Sequence, residues 1–210
     1  MLKVADNASV NDERHKVTQI VAVNDPPQAY AGQPLTVCPG TKVMFDGTAS
    51  SDRDGTLIRY IWDFGQGTQT EGQTATQVFN EPGLYQVKLS VSDDSGGQCA
   101  LAEDVTSVRV NAPPLAVAGS DRTAWVGGAY DAILFDATQS QDPDQEPLTY
   151  EWDFGDGVIQ TGAKVLHAYR QPGRYKVRLR VRDSSRLGCS EAWDEITVEA
   201  RHRSSGTKGL

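Results

Sequence analysis

Alternating hydrophobic and polar residues run through two long segments of the chain. Tyr85, Val87, Leu89 and Val91 alternate with polar residues, and the same alternation returns over residues 175–182. A period of two over eight residues predicts a β-strand with one face buried and the other face in water. Each segment is therefore expected to form a long strand.

Shorter stretches extend the pattern in the first half of the chain. Val43, Phe45, Ile58, Tyr60 and Trp62 are predicted to lie on the buried faces of further strands. No segment has helical periodicity, and 20 Gly and 10 Pro among 210 residues favour turns over helices. The chain is predicted to be all-β. Many strands separated by turns, with a Trp in an early strand and a Tyr opening a later one, indicate an immunoglobulin-like β-sandwich.

The chain contains an internal repeat of domain length. Residues 45–94 match residues 135–184 at a constant offset of 90, which predicts two independent domains in tandem. At a second offset, of 87, residues 1–25 resemble the last two strands of a repeat whose first part would precede them. The predicted boundaries are a terminal hairpin at 1–25, domains at 26–112 and 113–200, and a disordered tail at 201–210.

The repeated motifs resemble the PKD (polycystic kidney disease) domain family in its tandem bacterial form. They lie at residues 45–55, 62–67 and 81–85, and again at 135–144, 152–157 and 167–175. Gln66 stands where the family usually has a second Asp, and Gln145 where it usually has Gly. The resemblance implies immunoglobulin-like sandwiches in the extracellular space, on the cell surface or in the periplasm. Such modules act as spacers, mechanical elements or adhesion surfaces, often beside a secreted hydrolase domain, and the resemblance does not imply catalysis.

Charge and motif content exclude several function classes. A net charge of −8 argues against nucleic-acid binding, and no stretch approaches the ~18 apolar residues that membrane insertion needs.

Asp-Phe-Gly occurs at 63–65 and 153–155, but the accompanying kinase motifs are missing. We therefore interpret Asp63 and Asp153 as carboxylates that bond turn amides. None of the three histidines is spaced from a nucleophile or second ligand as a catalytic site requires, and His167 is assigned a packing or strand-edge role. The sequence predicts no enzyme and no cofactor other than calcium.

Acidic loops suggest calcium as a candidate ligand. In an immunoglobulin-like topology the chain entry and two loops meet at one end of the sandwich, and calcium takes six to eight oxygen ligands. The alternative is that Asp and Asn serve only as turn formers. The ligands predicted for repeat one are Asn24, Asp25, Asp52, Asp54, Asp93 and Asp94, with a weaker set in repeat two of Asn111, Asp142, Asp144 and Asp183.

The three cysteines suggest a disulfide within the first repeat. Cys99 and Cys189 occupy the same place in the two repeats, whereas Cys38 has no counterpart. In an oxidising compartment a Cys38–Cys99 bond is the predicted pairing. Cys189 would then be free or would pair between chains.

A basic row on one strand has two interpretations. It could bind an anionic polymer, or it could pair across the sheet with acidic residues of the neighbouring strand, which we favour. The row is Lys176, Arg178, Arg180 and Arg182, and the expected partners are Glu151 and Asp153.

These observations predict a non-catalytic spacer that binds a protein or an extracellular polymer as part of a larger secreted or cell-surface protein. The alternative is an accessory module of a secreted hydrolase that binds polysaccharide or collagen through exposed aromatic residues, for which Trp125 and Trp193 are the candidates. The apolar residues of the 1–25 hairpin are expected to fray, to pack on repeat one or to pair with another chain. They are Val4, Val17, Ile20, Val21 and Val23.

Overall fold

The computed structural model describes residues 23–203 except Gln66, Gln98, Ala129 and Tyr130. Within these ranges the chain forms two successive β-sandwiches of seven strands each, and no helix occurs. The predicted all-β, immunoglobulin-like fold is confirmed. The hairpin predicted at 1–25 lies outside the described residues except for its last three positions, and so does the tail beyond Arg203.

The first module packs a five-stranded sheet against a two-stranded one. The large sheet has the order β1-β7-β6-β3-β4, in which β1 pairs in parallel with β7 and the other neighbours are antiparallel. The small sheet pairs β2 with β5. The strands are β1 Leu35–Val37, β2 Thr41–Asp46, β3 Leu57–Asp63, β4 Gln69–Glu71, β5 Thr74–Phe79, β6 Gly83–Asp93 and β7 Leu101–Val110.

The second module repeats this topology. Its large sheet has the order β11-β10-β13-β14-β8, again with one parallel edge pair, and β9 pairs with β12. The strands are β8 Arg122–Val126, β9 Ile133–Asp136, β10 Thr149–Asp153, β11 Ile159–Thr161, β12 Lys164–His167, β13 Gly173–Arg182 and β14 Glu191–His202.

Strand β14 runs past the predicted end of the second domain. Arg201 and His202 pair with Trp125 and Val126 of β8, and Arg203 forms a 2.7 Å ion pair with the buried Asp131. The prediction that the tail begins at residue 201 is therefore wrong for 201–203. A polar sequence gave no indication that β8 would offer these residues a pairing edge.

Each module is built around one tryptophan in the large sheet. Trp62 and Trp152 are fully buried, and their indole N–H groups donate to the carbonyls of Gly72 and Gly162 at 3.1 and 3.2 Å. Because the only polar atom of each ring is bonded, the whole side chain contributes to the core without an unpaired donor.

The tyrosines that open the later strands close a tight corner. Tyr85 donates its hydroxyl to Glu81 O at 2.9 Å, and Tyr175 donates to Gln171 O at 3.0 Å. A tyrosine bonded to the backbone a few residues upstream is a hallmark of the immunoglobulin fold. The two corners support the fold assignment that the sequence pattern predicted.

The buried face predicted for β3 begins later than expected. Ile58 is 65% exposed because the pairing of β3 with β6 shifts register between Leu57 and Arg59. An irregularity of this kind adds a residue to one strand and interrupts the alternation of faces. The prediction that Ile58 is a core residue is therefore wrong, whereas Trp62 lies in the core as predicted.

Candidate functional site

Asn111 lies between the two modules and is bonded to both. Its backbone N–H donates to Val37 O at the end of β1, at 2.9 Å, and its side-chain amide donates to Asp183 Oδ2, at 2.9 Å. The next backbone N–H, of Ala112, donates to Asp144 Oδ2 at 2.7 Å. Asn111 is fully buried, so the connection between the modules is a packed junction rather than a solvated linker.

The structure brings the predicted acidic loops of repeat two together around this junction. Asp142 Oδ1 accepts the backbone N–H groups of Asp144 and Glu146 at 2.8 and 3.2 Å, and Asp183 Oδ1 accepts that of Ser185 at 2.8 Å. These are the local bonds of turn-forming carboxylates. These turn bonds use only the Oδ1 atom of each carboxylate. Turn formation therefore does not account for the whole cluster.

Glu146 belongs to the same cluster and was missed by sequence reasoning. Its Oε2 accepts the backbone N–H and the hydroxyl of Ser184 at 3.1 and 2.5 Å, which ties the loop after β9 to the loop after β13. Repeat one has Thr56 at the matching position, so comparison of the repeats offers no signal for a carboxylate there.

Two buried oxygens at this end of repeat two have no hydrogen-bond partner among the described residues. They are Asn111 Oδ1 and Asp142 Oδ2. Burial raises the pKa of Asp142 above its ordinary value, and the carboxylates of Asp183 and Asp144 raise it further, against the lowering effect of the two amide bonds. A buried acceptor without a donor is costly, and these two oxygens would be satisfied by a cation.

In repeat one the corresponding residues also lie together, but fewer of their buried oxygens lack a hydrogen-bond partner. Asn24 donates to Asp93 Oδ2 at 3.0 Å, and the N–H of Asp25 donates to both oxygens of Asp54 at 3.1–3.2 Å. The bonds from the Ser95 hydroxyl and the Asn24 amide hold the pKa of Asp93 below its ordinary range. Only Asp52 Oδ2 is buried and unpartnered in this set, counting the described residues.

The sixth residue of the repeat-one set also lies in the cluster. Asp94 Oδ1 accepts the N–H of Thr56 at 3.2 Å. Asp94 Oδ1 and Asp52 Oδ2 each lie 2.9 Å from the position that a β-carbon on Gly55 would take. A β-carbon at this position would displace both carboxylates, so Gly55 leaves room for them beside the backbone.

The disulfide does not have the predicted partners. Cys38, just after β1, is bonded to Cys189 in the loop before β14, with a Cα–Cα distance of 5.7 Å, whereas Cys99 is a free, exposed cysteine. The predicted Cys38–Cys99 pairing is therefore wrong. Because Asn111 N–H is bonded to Val37 O, the end of β1 abuts module two, and the nearest cysteine to Cys38 belongs to that module.

The basic row of β13 is paired with carboxylates, as expected for a charged sheet surface. Glu151 is confirmed as a partner, but Asp153 instead accepts the N–H of Gly155 at 2.9 Å, and the other partners lie on β14. The ion pairs are Lys176–Glu195 at 2.8 Å, Arg178–Glu195 at 3.2 Å, Arg180–Glu151 at 2.7 Å and Arg182–Glu191 at 2.9 Å.

Two tryptophans are exposed on the outer face of the same sheet. Trp125 on β8 is 44% exposed and Trp193 on β14 is 54% exposed, and the Arg180 guanidinium lies 5.3 Å from the centre of the Trp193 ring. By register, Trp125 lies beside Arg201 and Trp193 beside Arg180. The eight residues that separate Trp193 from Arg201 on β14 correspond to about 26 Å.

The remaining residues considered for chemistry have structural partners. Asp63 Oδ1 accepts the N–H of Gly65 at 2.8 Å, so both Asp-Phe-Gly carboxylates bond turn amides as predicted. The buried His167 stacks on Phe154 at 4.0 Å, and its Nε2 lies 2.9 Å from Asp156 Oδ2, which confirms a packing role.

Another pair of carboxylates serves the fold and was missed. Asp104 Oδ2 accepts the N–H of Ala31, and Asp194 Oδ2 accepts the N–H of Ala118, both at 2.7 Å. The offset of 90 between Asp104 and Asp194 is a signal that could have found them.

Across the described ranges, no group of three His, Cys, Asp or Glu side chains is arranged to hold a metal ion by itself. A cation at the junction would therefore also need the Asn111 amide oxygen and backbone carbonyls or water. Likewise, no helix in the described part of the chain is long and apolar enough to span a membrane.

Comparison with known proteins agrees with a tandem arrangement of two modules. The family model described as the PKD domain matches residues 24–108 and 111–198. The chain belongs to the PKD domain family. Each matched region coincides with one sandwich of the structure, so the chain carries two tandem PKD modules.

Relatives of these PKD modules occur in much longer proteins. Collagenase ColA of Clostridium perfringens is 42% identical over 77 residues, which is 37% of this chain and 7% of the collagenase. The pre-pro-metalloprotease PrtV of Vibrio cholerae is 30% identical over 149 residues, which is 69% of this chain and 15% of the protease. The chain thus corresponds to a small part of each relative.

The fold is shared more widely. An I-band fragment from titin superimposes with a TM-score of 0.53 at 12% identity, covering 86% of this chain and 67% of that fragment. At this identity the likeness concerns the fold alone.

Proposed function

We propose that the two PKD modules form a non-catalytic spacer of fixed geometry within a larger secreted or cell-surface protein. The observation that carries this proposal is Asn111, which is fully buried and bonded at once to Val37 of the first module and to Asp183 of the second. A junction that uses its hydrogen bonds in this way holds the modules in one relative orientation. The presence of similar modules in a collagenase and a metalloprotease supports an accessory role.

Small-angle X-ray scattering tests the fixed geometry. A single arrangement of the two modules is expected to fit the scattering of the chain. In dithiothreitol, Asn111→Ala is expected to broaden the distribution of distances, because the side-chain bond to Asp183 is lost. Asn24→Ala is the matched control, since Asn24 makes the same bond to Asp93 at the start of the first module and does not lie between the two. A wild-type profile that requires many orientations would rule out the spacer of fixed geometry.

A second proposal is that calcium binds at the junction. The buried and unpartnered oxygens of Asn111 and Asp142 support it. The pKa of Asp142 is raised first by burial and then by the carboxylates of Asp183 and Asp144, which is the environment of a carboxylate without a positive partner. The site would take its ligands from Asn111, Asp142, Asp144 and Asp183, with Glu146 close by. The set in repeat one has one such oxygen, on Asp52, so the support is stronger for repeat two, the reverse of the order expected from the number of oxygens.

Calorimetry tests the calcium proposal. The melting temperature is expected to rise in millimolar calcium chloride relative to chelator, and Asp142→Asn is expected to reduce that rise. Glu191→Gln is the control, because Glu191 is an exposed carboxylate paired with Arg182 on the sheet surface. An equal response in wild type and Asp142→Asn would place any bound calcium elsewhere, and no response in either would leave these carboxylates as turn formers.

Binding to an insoluble polymer is a further candidate role, and the exposure of Trp125 and Trp193 on one sheet face favours it. Flat aromatic rings stack on sugar rings or pack on apolar segments of a protein such as collagen. Co-sedimentation with insoluble collagen and with cellulose tests it. Loss of binding in Trp193→Ala, with binding retained in Leu101→Ala, an exposed residue of the first module, would support the role. Equal co-sedimentation of the two variants would contradict it.

A further inference from the structure

The Cys38–Cys189 disulfide closes a covalent ring around most of both modules. Its two cysteines are 151 residues apart in sequence and belong to different modules, with Cα atoms 5.7 Å apart, within the usual range for a disulfide. The backbone N–H of Cys189 donates to Cys38 Sγ at 3.1 Å. The Asn111 amide lies 3.9 Å from Cys189 Sγ, so the bond lies directly at the junction.

This ring changes the path that tension takes through the molecule. A force that enters before Asn24 and leaves after Arg203 reaches Cys38 through residues 24–37, of which the last three form β1, crosses the disulfide and continues from Cys189 along β14. Residues 39–188 lie inside the ring, and no pulling on the two ends can extend them while the bond is intact. They include β2 to β13.

The segments that remain in the path offer little additional length. Strand β14 is a continuous strand of 12 residues, and a strand already spans about 3.3 Å per residue of the roughly 3.6 Å that a fully extended chain can reach. On the other side, the approach to Cys38 is held by the Gln28–Ser51 bridge and by the parallel pairing of β1 with β7. Detaching this segment from its neighbours would let about a dozen more residues extend under force.

We propose that the Cys38–Cys189 disulfide is a mechanical lock that removes residues 39–188 from the load path. The pair of modules is then an almost inextensible tether when oxidised and a long extensible one when reduced. Both cysteines are half-buried rather than enclosed, so a thiol reductant reaches the bond. The biological meaning of the lock rests on the proposed spacer function, but the lock itself is a property of the chain.

Single-molecule force spectroscopy of the full chain tests the lock. Handles are attached to the two termini through peptide tags without thiols, on a Cys99→Ser background that prevents disulfide exchange with the free cysteine. The fully stretched oxidised molecule is expected to be about 500 Å shorter than the same molecule in dithiothreitol, which is the contour length of the residues inside the ring. Reduction of one molecule under observation gives this comparison without a further variant.

The matched variant Cys99→Ser/Cys189→Ser is expected to reach the long length with or without dithiothreitol. Equal lengths of the Cys99→Ser molecule before and after reduction would overturn the lock. The scattering experiment tests the spacer function separately. If the two modules move freely relative to each other, the fixed geometry is wrong, but reduction still lengthens the stretched molecule by about 500 Å, the length of the enclosed chain.

Discussion

Two residues near the junction have features that turn formation alone does not explain. Asp142 has one oxygen in two backbone hydrogen bonds and the other buried without a partner in the described residues. Gln145, three residues later, has a φ of 62°, in the left-handed region that favours glycine. Both features concentrate strain and charge in one loop of the second module.

The first prediction concerns Gln145, where the family usually has Gly. Gln145→Gly is expected to raise the free energy of unfolding by about 1 kcal/mol, because glycine adopts a positive φ without the contact between the β-carbon and the backbone. Chemical denaturation measures the change. Gln141→Gly, at a position without a positive φ, is the control and is not expected to stabilise. Destabilisation by Gln145→Gly would show that its side chain contributes more than the backbone costs.

The second prediction concerns pH. Burial and the neighbouring carboxylates raise the pKa of Asp142, so the charged form destabilises the folded state at pH values above the folded pKa. In chelator, Asp142→Asn is therefore expected to melt above the wild type at pH 7. The difference should shrink as the pH falls through the folded pKa and vanish below the unfolded one, since wild-type Asp142 is then neutral. A difference that is constant across this range would contradict the assignment.

The third prediction counts thiols. Iodoacetamide is expected to modify one cysteine, Cys99, in the native oxidised chain and all three after reduction and unfolding, because Cys38 and Cys189 are bonded to each other. Intact mass spectrometry gives the count, and peptide mapping identifies the residue. A linked peptide that contains Cys38 and Cys99 would restore the pairing that the sequence suggested.

At the scale of elements, the alternation of side chains holds where a strand is continuously paired. Strand β6 pairs with β7 over ten successive residues, and Val87, Leu89 and Val91 are completely buried. Strand β3 loses the alternation at its irregular start, where Ile58 turns outward. The pairing with the neighbouring strand therefore decides that Leu89 lies in the core and the equally hydrophobic Ile58 does not.

The fourth prediction compares these two strands. Leu89→Ala is expected to lower the free energy of unfolding by about 2–5 kcal/mol, because it leaves a cavity in a closely packed core. Ile58→Ala removes a side chain of similar size from the surface. This variant is expected to change the free energy of unfolding by less than about 0.5 kcal/mol. Urea denaturation of the two variants checks both values. A large loss in Ile58→Ala would mean that the side chain packs inward as the alternation had predicted.

At the scale of the whole molecule, the two modules are joined by more than their linker. The chain crosses once at Asn111, and the disulfide crosses a second time between β1 and the loop before β14. The two connections lie side by side, since the Asn111 amide is 3.9 Å from Cys189 Sγ, and the disulfide adds a covalent bond to the hydrogen-bonded contact. This arrangement is the physical basis of the proposed fixed spacer and of the proposed mechanical lock.

The repeat and the period of two determined most of the fold from the sequence alone. They predicted an all-β chain, two tandem sandwiches, a buried Trp62 and a tyrosine at the start of a later strand, and the Asp-Phe-Gly turns predicted that Asp63 and Asp153 bond turn amides. These features depend on local periodicity and turn chemistry, which act over a few residues. The loops that hold the acidic residues were also found, because an immunoglobulin-like topology gathers them at one end.

Only the tertiary structure decided the contacts that link distant residues. The partner of Cys38 depends on how one module is placed on the next, and nothing within either repeat encodes that placement. The outward turn of Ile58 depends on the register with β6, and the two residues added to β14 depend on the free edge of β8. The unpartnered oxygens of Asn111 and Asp142 arise from burial at the junction, which a linear pattern does not specify. Periodicity assigns faces to strands, but long-range packing decides which faces, edges and sulfur atoms meet.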